Sequence, residues 1–303
     1  MITKRPTRNV NGVLLLNKDL GLSSNRALQQ VKRLFQANKA GHTGSLDPLA
    51  NGVLPICFGE ATKFSRFLFD ADKTYITTAK LGITTTTADA EGAVVAVRAV
   101  PAFTAQQIQQ VITGFIGASQ QVPSMYSALK HNGQPLYKLA REGLNIERPA
   151  REIFIHAFAL LKQTQDTLTF QVSCSKGTYI RNLIEDLGEK LGCGAHVIQL
   201  QRIQAGEFHL ANSYTLAQLQ EIDDLNKLDS LLLPVTSTVQ QWPQVVLPEQ
   251  DAALMRSGRA VVTPSGTTLG WVCMLDQTHQ FLGMGEALND GMIVARRLVS
   301  TKF

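Results

Sequence analysis

Cysteine is scarce in this chain, and metal-ligand spacing is missing. The four cysteines, Cys57, Cys174, Cys193 and Cys273, are scattered through 303 residues, with no CxxC pair and no Cys/His cluster. That argues against both a disulfide scaffold and a zinc set, so no metal is expected. Cys57 and Cys174 have apolar neighbours and read as small core residues. There is no P-loop and no GxGxxG run, the usual phosphate and dinucleotide cradles. No apolar run is long enough to span a membrane, and the basic segment Met1 to Arg8 leads into no signal-peptide core. The expected setting is a reducing cytoplasm. Charged residues make up only 17% against 44% hydrophobic, a globular balance. No repeat or low-complexity segment occurs. The length allows one large domain or two. The net charge of +5 suits a polyanionic partner, although a solvated surface often carries as much.

What is present is organised around one stretch, Gly41-His42-Thr43-Gly44-Ser45-Leu46-Asp47-Pro48-Leu49-Ala50-Asn51-Gly52-Val53-Leu54-Pro55. Gly41, Gly44 and Gly52 permit backbone angles and close approaches that other residues resist. Pro48 biases Asp47 towards an extended conformation. Two readings follow from these residues. Asp47 is a single acid held still in a partly apolar loop, or it is a helix N-cap with Pro48 at the first helical position.

Around it, Gly12–Lys18 reads as a short buried strand ending on a lysine. Ser23 and Ser24 offer N-caps for a helix with Leu28, Val31 and Phe35 on one stripe. Phe64, Phe67 and Leu68 have helical spacing, and residues 72–79 are strand-like. Thr104 to Gln107 is a capping box ahead of Ile108, Val111, Ile112 and Phe115. Residues 121–151 are more polar, with Lys130, Lys138, Arg141, Arg148 and Arg151 among aromatics. Such a segment can track phosphates and stack bases, or simply be solvated. Leu168, Phe170, Val172 and Cys174 alternate as a strand. A helix follows with Ile180, Leu183, Ile184, Leu187 and Leu191 on one stripe. Arg181 lies in its first turn, where the helix dipole disfavours a cation, so a compensating anion is expected nearby. Thr215 to Gln218 is a second capping box. Leu233 to Pro248 reads as a connector, and the texture beyond about Gln250 is short strands with frequent glycine.

The run GHTGSLDPLANGVLP resembles the signature motif of TruB-type tRNA pseudouridine synthases. PSMYSALK with GQPLYKLAREG, SKGTYIRNLIEDLG and Leu200-Gln201-Arg202-Ile203 resemble further motifs of that family, so the likeness covers nearly the whole chain. It departs at Asn51, where Thr is usual, and at Thr86, where Asp is usual. The resemblance implies an α+β fold: a mixed-sheet catalytic core over 1–248, a thumb insertion at about 121–151, and a small PUA-like domain over 249–303. It implies Asp47 as the catalytic carboxylate and Arg181 as its partner, keeping it ionised. Tyr75 would stack on the target uracil, Leu200 would line the pocket, and Tyr179 belongs to the same substrate-binding set. His42 stands where it could fill the space the base vacates, or anchor the loop by a hydrogen bond. Lys130, Lys138, Arg141, Arg148 and Arg151 would grip the tRNA T-arm. The implied activity is isomerisation of uridine 55 with no cofactor, no obligate protein partner and a monomeric enzyme. A guide-RNA-dependent relative and a non-catalytic tRNA-folding chaperone are the alternatives.

Overall fold

In a computed structural model the described residues are 7–300; residues 1–6 of the basic N-terminal segment and the last three residues lie outside them. The larger, N-terminal sheet has ten strands. Its main members are β1 (Gly12–Lys18), β2 (Ala50–Phe58), β3 (Lys73–Leu81), β4 (Gly117–Gln121), β5 (Arg151–Gln163), β6 (Thr167–Cys174) and β7 (Ala195–Ala205). Their spatial order is β1-β2-β7-β3-β6-β5-β4, with Tyr214–Thr215 outside β1. Only β1 with Tyr214–Thr215 and β2 with β7 pair in parallel, so the sheet is mixed.

β1 is buried on both faces, which is why Val13 to Leu16 run apolar without a break before Asn17 and Lys18. Leu14 and Leu16 enter the main core, while Val13 and Leu15 enter a smaller cluster with Val53, Cys57 and Phe208. Helix α1 (Ser24–Leu34) starts where Ser23 accepts the Arg26 N–H, and it buries Leu28 and Val31. α2 (Ala105–Thr113) has the expected capping box at Thr104 and buries Ile108 and Ile112. α3 (Leu136–Arg141) is one short stretch of the 121–151 insertion. α4 (Ile180–Lys190) lays Leu183, Ile184 and Leu187 into the core. Truncating one of these to alanine costs about 2–5 kcal/mol. That packing fixes the helix carrying Arg181.

Gln244–Leu247 forms β8 and pairs in parallel with β9 (Gly270–Asp276). β10 (Phe281–Ala287) and β11 (Met292–Leu298) continue a five-stranded sheet. The expected boundary at 248 therefore cuts β8 from its own sheet. Its backbone groups are satisfied by the C-terminal unit, although its sequence reads as connector. Phe64, Phe67, Trp242, Trp271 and Phe281 fill the seam between the two units. All four cysteines are free and buried. Among the described residues no helix is long and apolar enough to cross a membrane.

Candidate active site

The signature stretch is half strand and half turn. Ala40–His42 pairs with β2, and the chain then turns through Asp47 and Pro48 into β2 at Ala50. The Ala50 N–H donates to the Asp47 carbonyl at 3.0 Å, closing that turn. A strand follows Asp47 rather than a helix, so the capping reading falls. Ser24, buried at the start of α1, pins the loop by accepting the Leu46 N–H at 2.7 Å and donating to the Leu46 carbonyl at 2.9 Å. The Gly21 N–H holds the Pro48 carbonyl at 2.8 Å.

Of the three glycines, Gly44 and Gly52 take positive φ, +117° and +109°, whereas Gly41 does not. A Cβ on Gly52 would lie 2.2 Å from the Arg202 carbonyl oxygen and 2.7 Å from its nitrogen. Only glycine lets β2 approach β7 there.

Asp47 opens onto a cavity of about 660 Å³ shared with His42, Glu91, Tyr126, Tyr137 and Arg141, among others. Arg181 lies beneath it, with its side chain 5% exposed against 40% for Asp47. Its Nε meets Asp47 Oδ2 at 3.0 Å and its Nη1 meets Asp89 Oδ2 at 3.2 Å. Nη1 also donates to the Thr87 carbonyl at 3.1 Å, and Nη2 to the Tyr126 carbonyl at 2.9 Å. The anion expected opposite Arg181 is thus present twice. Burial pushes the Asp47 carboxyl above its usual value; Arg181 and Lys18 draw it down, and Asp89 adds to the rise. Arg181 does favour the charged carboxylate, but burial outweighs it.

Asp89 was not singled out by sequence reasoning, although it lies in the turn that holds Thr86. Ala88 just before it has φ +58°, and the Thr87 hydroxyl bonds its Oδ1. The hydroxyl of Thr86 instead accepts the Ala93 N–H at 3.2 Å and closes the turn. In the sequence Lys18 reads only as the end of a strand and Arg202 only as part of a motif, yet both side chains are buried. Burial lowers Lys18 to about 8.

Tyr75 stands on β3 directly opposite Arg202 on β7. Burial raises its phenol, and Arg202 opposes the rise. Leu200 is 8% exposed on the same strand as Arg202 and faces Ala50 in register. Tyr179 precedes α4; its N–H donates to Gln121 Oε1 at 2.8 Å, and burial raises its phenol. His42 has a buried Nδ1 without a partner among the described residues, so that nitrogen anchors nothing. Burial, then Arg202, lowers its pKa and favours neutral imidazole.

The five basic residues of the insertion do not share one role. Lys130, Lys138 and Arg151 are exposed at the surface. Arg141 lies 5.7 Å over the Tyr137 ring and lines the Asp47 cavity. Arg148 turns back on its own loop, its Nη1 donating to Asn145 Oδ1 at 3.0 Å and the Ile146 carbonyl at 3.1 Å.

Residues 32–180 match the family model for the TruB family pseudouridylate synthase N-terminal domain. Residues 181–240 match a tRNA pseudouridylate synthase B C-terminal domain, and 243–299 match a pseudouridine synthase II TruB C-terminal model. A Pseudomonas aeruginosa protein named tRNA pseudouridine synthase B is 51% identical over 98% of this chain and 98% of its own length. A Coxiella burnetii protein of the same name is 48% identical over 99% of this chain and 97% of its own. Among solved structures, a Cbf5-Nop10-Gar1 complex contains a chain of the same fold, with TM-score 0.73 and 24% identity, covering 95% of this chain and 84% of that one. A glycine-shaped loop holding Asp47 on a buried Arg181, within full-length likeness to these relatives, places the chain in the TruB family of pseudouridylate synthases.

Proposed function

We propose that this chain isomerises uridine to pseudouridine in tRNA, at uridine 55 of the T-loop, with Asp47 as the catalytic carboxylate. The observation that carries the reading is the Asp47–Arg181 contact at 3.0 Å on the floor of an open cavity. The reaction breaks N1–C1′, turns the freed uracil and joins C5 to C1′. It consumes no water and needs no electron acceptor, so a positioned carboxylate can carry it by covalent or electrostatic means. Arg181 aims Asp47 and compensates its charge. Tyr75 stacks on the base and takes part in proton loss from C5. Leu200 and Tyr179 complete the substrate-binding set from beside the Asp47 cavity, whose lining includes neither of them.

The target base must leave the RNA stack, at a cost of a few kcal/mol. His42, neutral and beside the cavity, fills the space left behind. Lys130, Lys138 and Arg151 supply phosphate contacts from the thumb to the T-arm, with Arg141 acting nearer the pocket. Residues 7–243 form the catalytic unit and the sheet from Gln244 onward the PUA-like RNA-binding unit. The enzyme works in the cytoplasm as a monomer on tRNA alone. The test is incubation with an unmodified tRNA transcript and no other protein, followed by mapping of pseudouridine. Conversion at uridine 55 supports the reading; none at any uridine overturns it.

A further inference from the structure

Arg202 is 1% exposed, one of the largest fully buried side chains in the described residues. Buried arginines are ordinarily matched by a carboxylate, because an isolated charge in a protein interior is costly. Arg181 follows that rule with two aspartates. Arg202 does not: among the described residues no carboxylate lies within ion-pair distance of it. Its Nε donates to the Val53 carbonyl at 2.8 Å and its Nη2 to the Gly44 carbonyl at 3.2 Å. Both acceptors belong to the signature stretch, one on each side of Asp47.

The sheet register shows what else the guanidinium meets. A single row runs Lys18 on β1, Gly52 on β2, Arg202 on β7 and Tyr75 on β3. Directly opposed residues on paired strands project to the same face. Gly52 contributes no side chain, so the side chain beside Arg202 on the β3 side of this row is Tyr75, whose phenol feels the guanidinium's charge. The remaining titratable groups around the pair do not neutralise it. Lys18, Lys73 and His42 are each made harder to protonate by Arg202. Cys174, beside Tyr75 on β6, is pushed up to about 12 and stays a neutral thiol. Asp47 is the acid facing Tyr75, and it is already paired with Arg181.

We propose that Arg202 is the counter-charge of Tyr75: a positioning residue that stands opposite it in the sheet and orients its phenol, so that Tyr75 can take the proton from C5. The proposal rests on the isomerase reading above. Once C5 has joined C1′, the C5–H bond breaks and its electron pair becomes the C5=C6 bond. The C6=N1 pair moves onto N1, which takes a proton from water. The C5 proton ends on the Tyr75 oxygen, and the phenol later returns it to water. The same guanidinium ties Gly44 and Val53, so the base and the loop that bears Asp47 share one anchor.

The test uses the full-length protein in excess over tRNA carrying uridine or 5-deuterated uridine at the target position. Arg202→Lys keeps a charge but loses the fork that spans Gly44 and Val53 opposite Tyr75. The single-turnover rate should fall about tenfold or more, with loss of the base itself, about 10²–10⁴-fold, as the upper bound. The C5 isotope effect should rise above wild type, since proton removal becomes the slow step. 3,5-Difluorotyrosine at position 75, a more acidic phenol, should restore part of the rate in that variant. A rate close to wild type overturns the proposal, as does a slowed rate with an unchanged isotope effect and no rescue, the pattern of a purely structural role. Where Arg202→Lys fails to fold, difluorotyrosine in the Arg202 protein decides: its pH–rate profile should move to lower pH, and an unmoved profile refutes the proposal. Wild type that forms no pseudouridine defeats the isomerase reading itself, a result distinct from either of these.

Discussion

Arg181→Lys is the sharpest probe of the site, because the charge stays and the geometry goes. The guanidinium reaches Asp47, Asp89 and the carbonyls of Thr87 and Tyr126 from three nitrogens, at 2.9–3.2 Å. A lysine has one nitrogen and cannot span all four. If it keeps the two carboxylates it abandons both carbonyls, and the Tyr126 carbonyl belongs to the insertion that closes over the cavity. A hydrogen bond from a charged donor contributes about 1.5–3 kcal/mol. Two of them come to about 3–6 kcal/mol, shared between stability and the alignment of Asp47. If half is felt in the transition state, the rate falls about tenfold to a hundredfold, at 1.36 kcal/mol per decade. Affinity for tRNA should change less, because Arg181 lies below the cavity and is almost wholly covered. Single-turnover conversion, filter binding and a thermal melt separate the three effects. Turnover within about threefold of wild type would show that the planar fork is dispensable.

Asp47→Asn should abolish conversion while tRNA affinity stays within about tenfold, or 1.4 kcal/mol; substantial activity in the purified variant would sink the assignment. Burial raises the Asp47 carboxyl in the folded protein, so the folded state holds its proton to higher pH than the unfolded chain. Ionised Asp47 therefore costs stability, a cost that appears as pH rises through that window and vanishes below it. Asp47→Asn should accordingly melt no lower than wild type at pH 7, and a clear drop in Tm would contradict the sign. The same shift places the acid limb of the single-turnover rate above the ordinary carboxylate range, which a pH profile at saturating enzyme would show. Replacing Lys130, Lys138 and Arg151 together by alanine should weaken tRNA binding and flatten the slope of log affinity against log salt by up to about one unit per contact; anisotropy that gives an unchanged slope would remove these residues from the interface.

What the sequence made legible was local. The strand Gly12–Lys18, the capped helix from Ser24 and the capping box at Thr104 depend on neighbours a few residues away, and each formed as its spacing dictates. The anion opposite Arg181 was foreseeable because a cation in a helix's first turn asks for one. That Asp89 would supply a second was not, since a turn more than ninety residues away had to fold against α4 to bring it there. Arg202 lay unremarked inside a recognised motif because its meaning is a row across four strands, and no periodicity reports register between distant strands. Asp47 had an equally good local reading as a helix cap, which the strand after Pro48 removed. Arg148 carries the same charge as Lys138, but its loop carbonyl and Asn145 claim it. Composition cannot distinguish a claimed cation from a free one.

The burial of every cysteine has a practical consequence. Burial pushes the thiols of Cys57 and Cys174 up to about 12 and Cys273 to about 11, and raises Cys193 as well. Since the thiolate is the reactive form, these four sulfurs should ignore maleimide at neutral pH in the folded state. A cysteine introduced at exposed Glu142, which is not among the proposed RNA contacts, can then take a dye without removal of any native thiol. The docking of the insertion onto RNA becomes visible, molecule by molecule, in an otherwise unaltered chain.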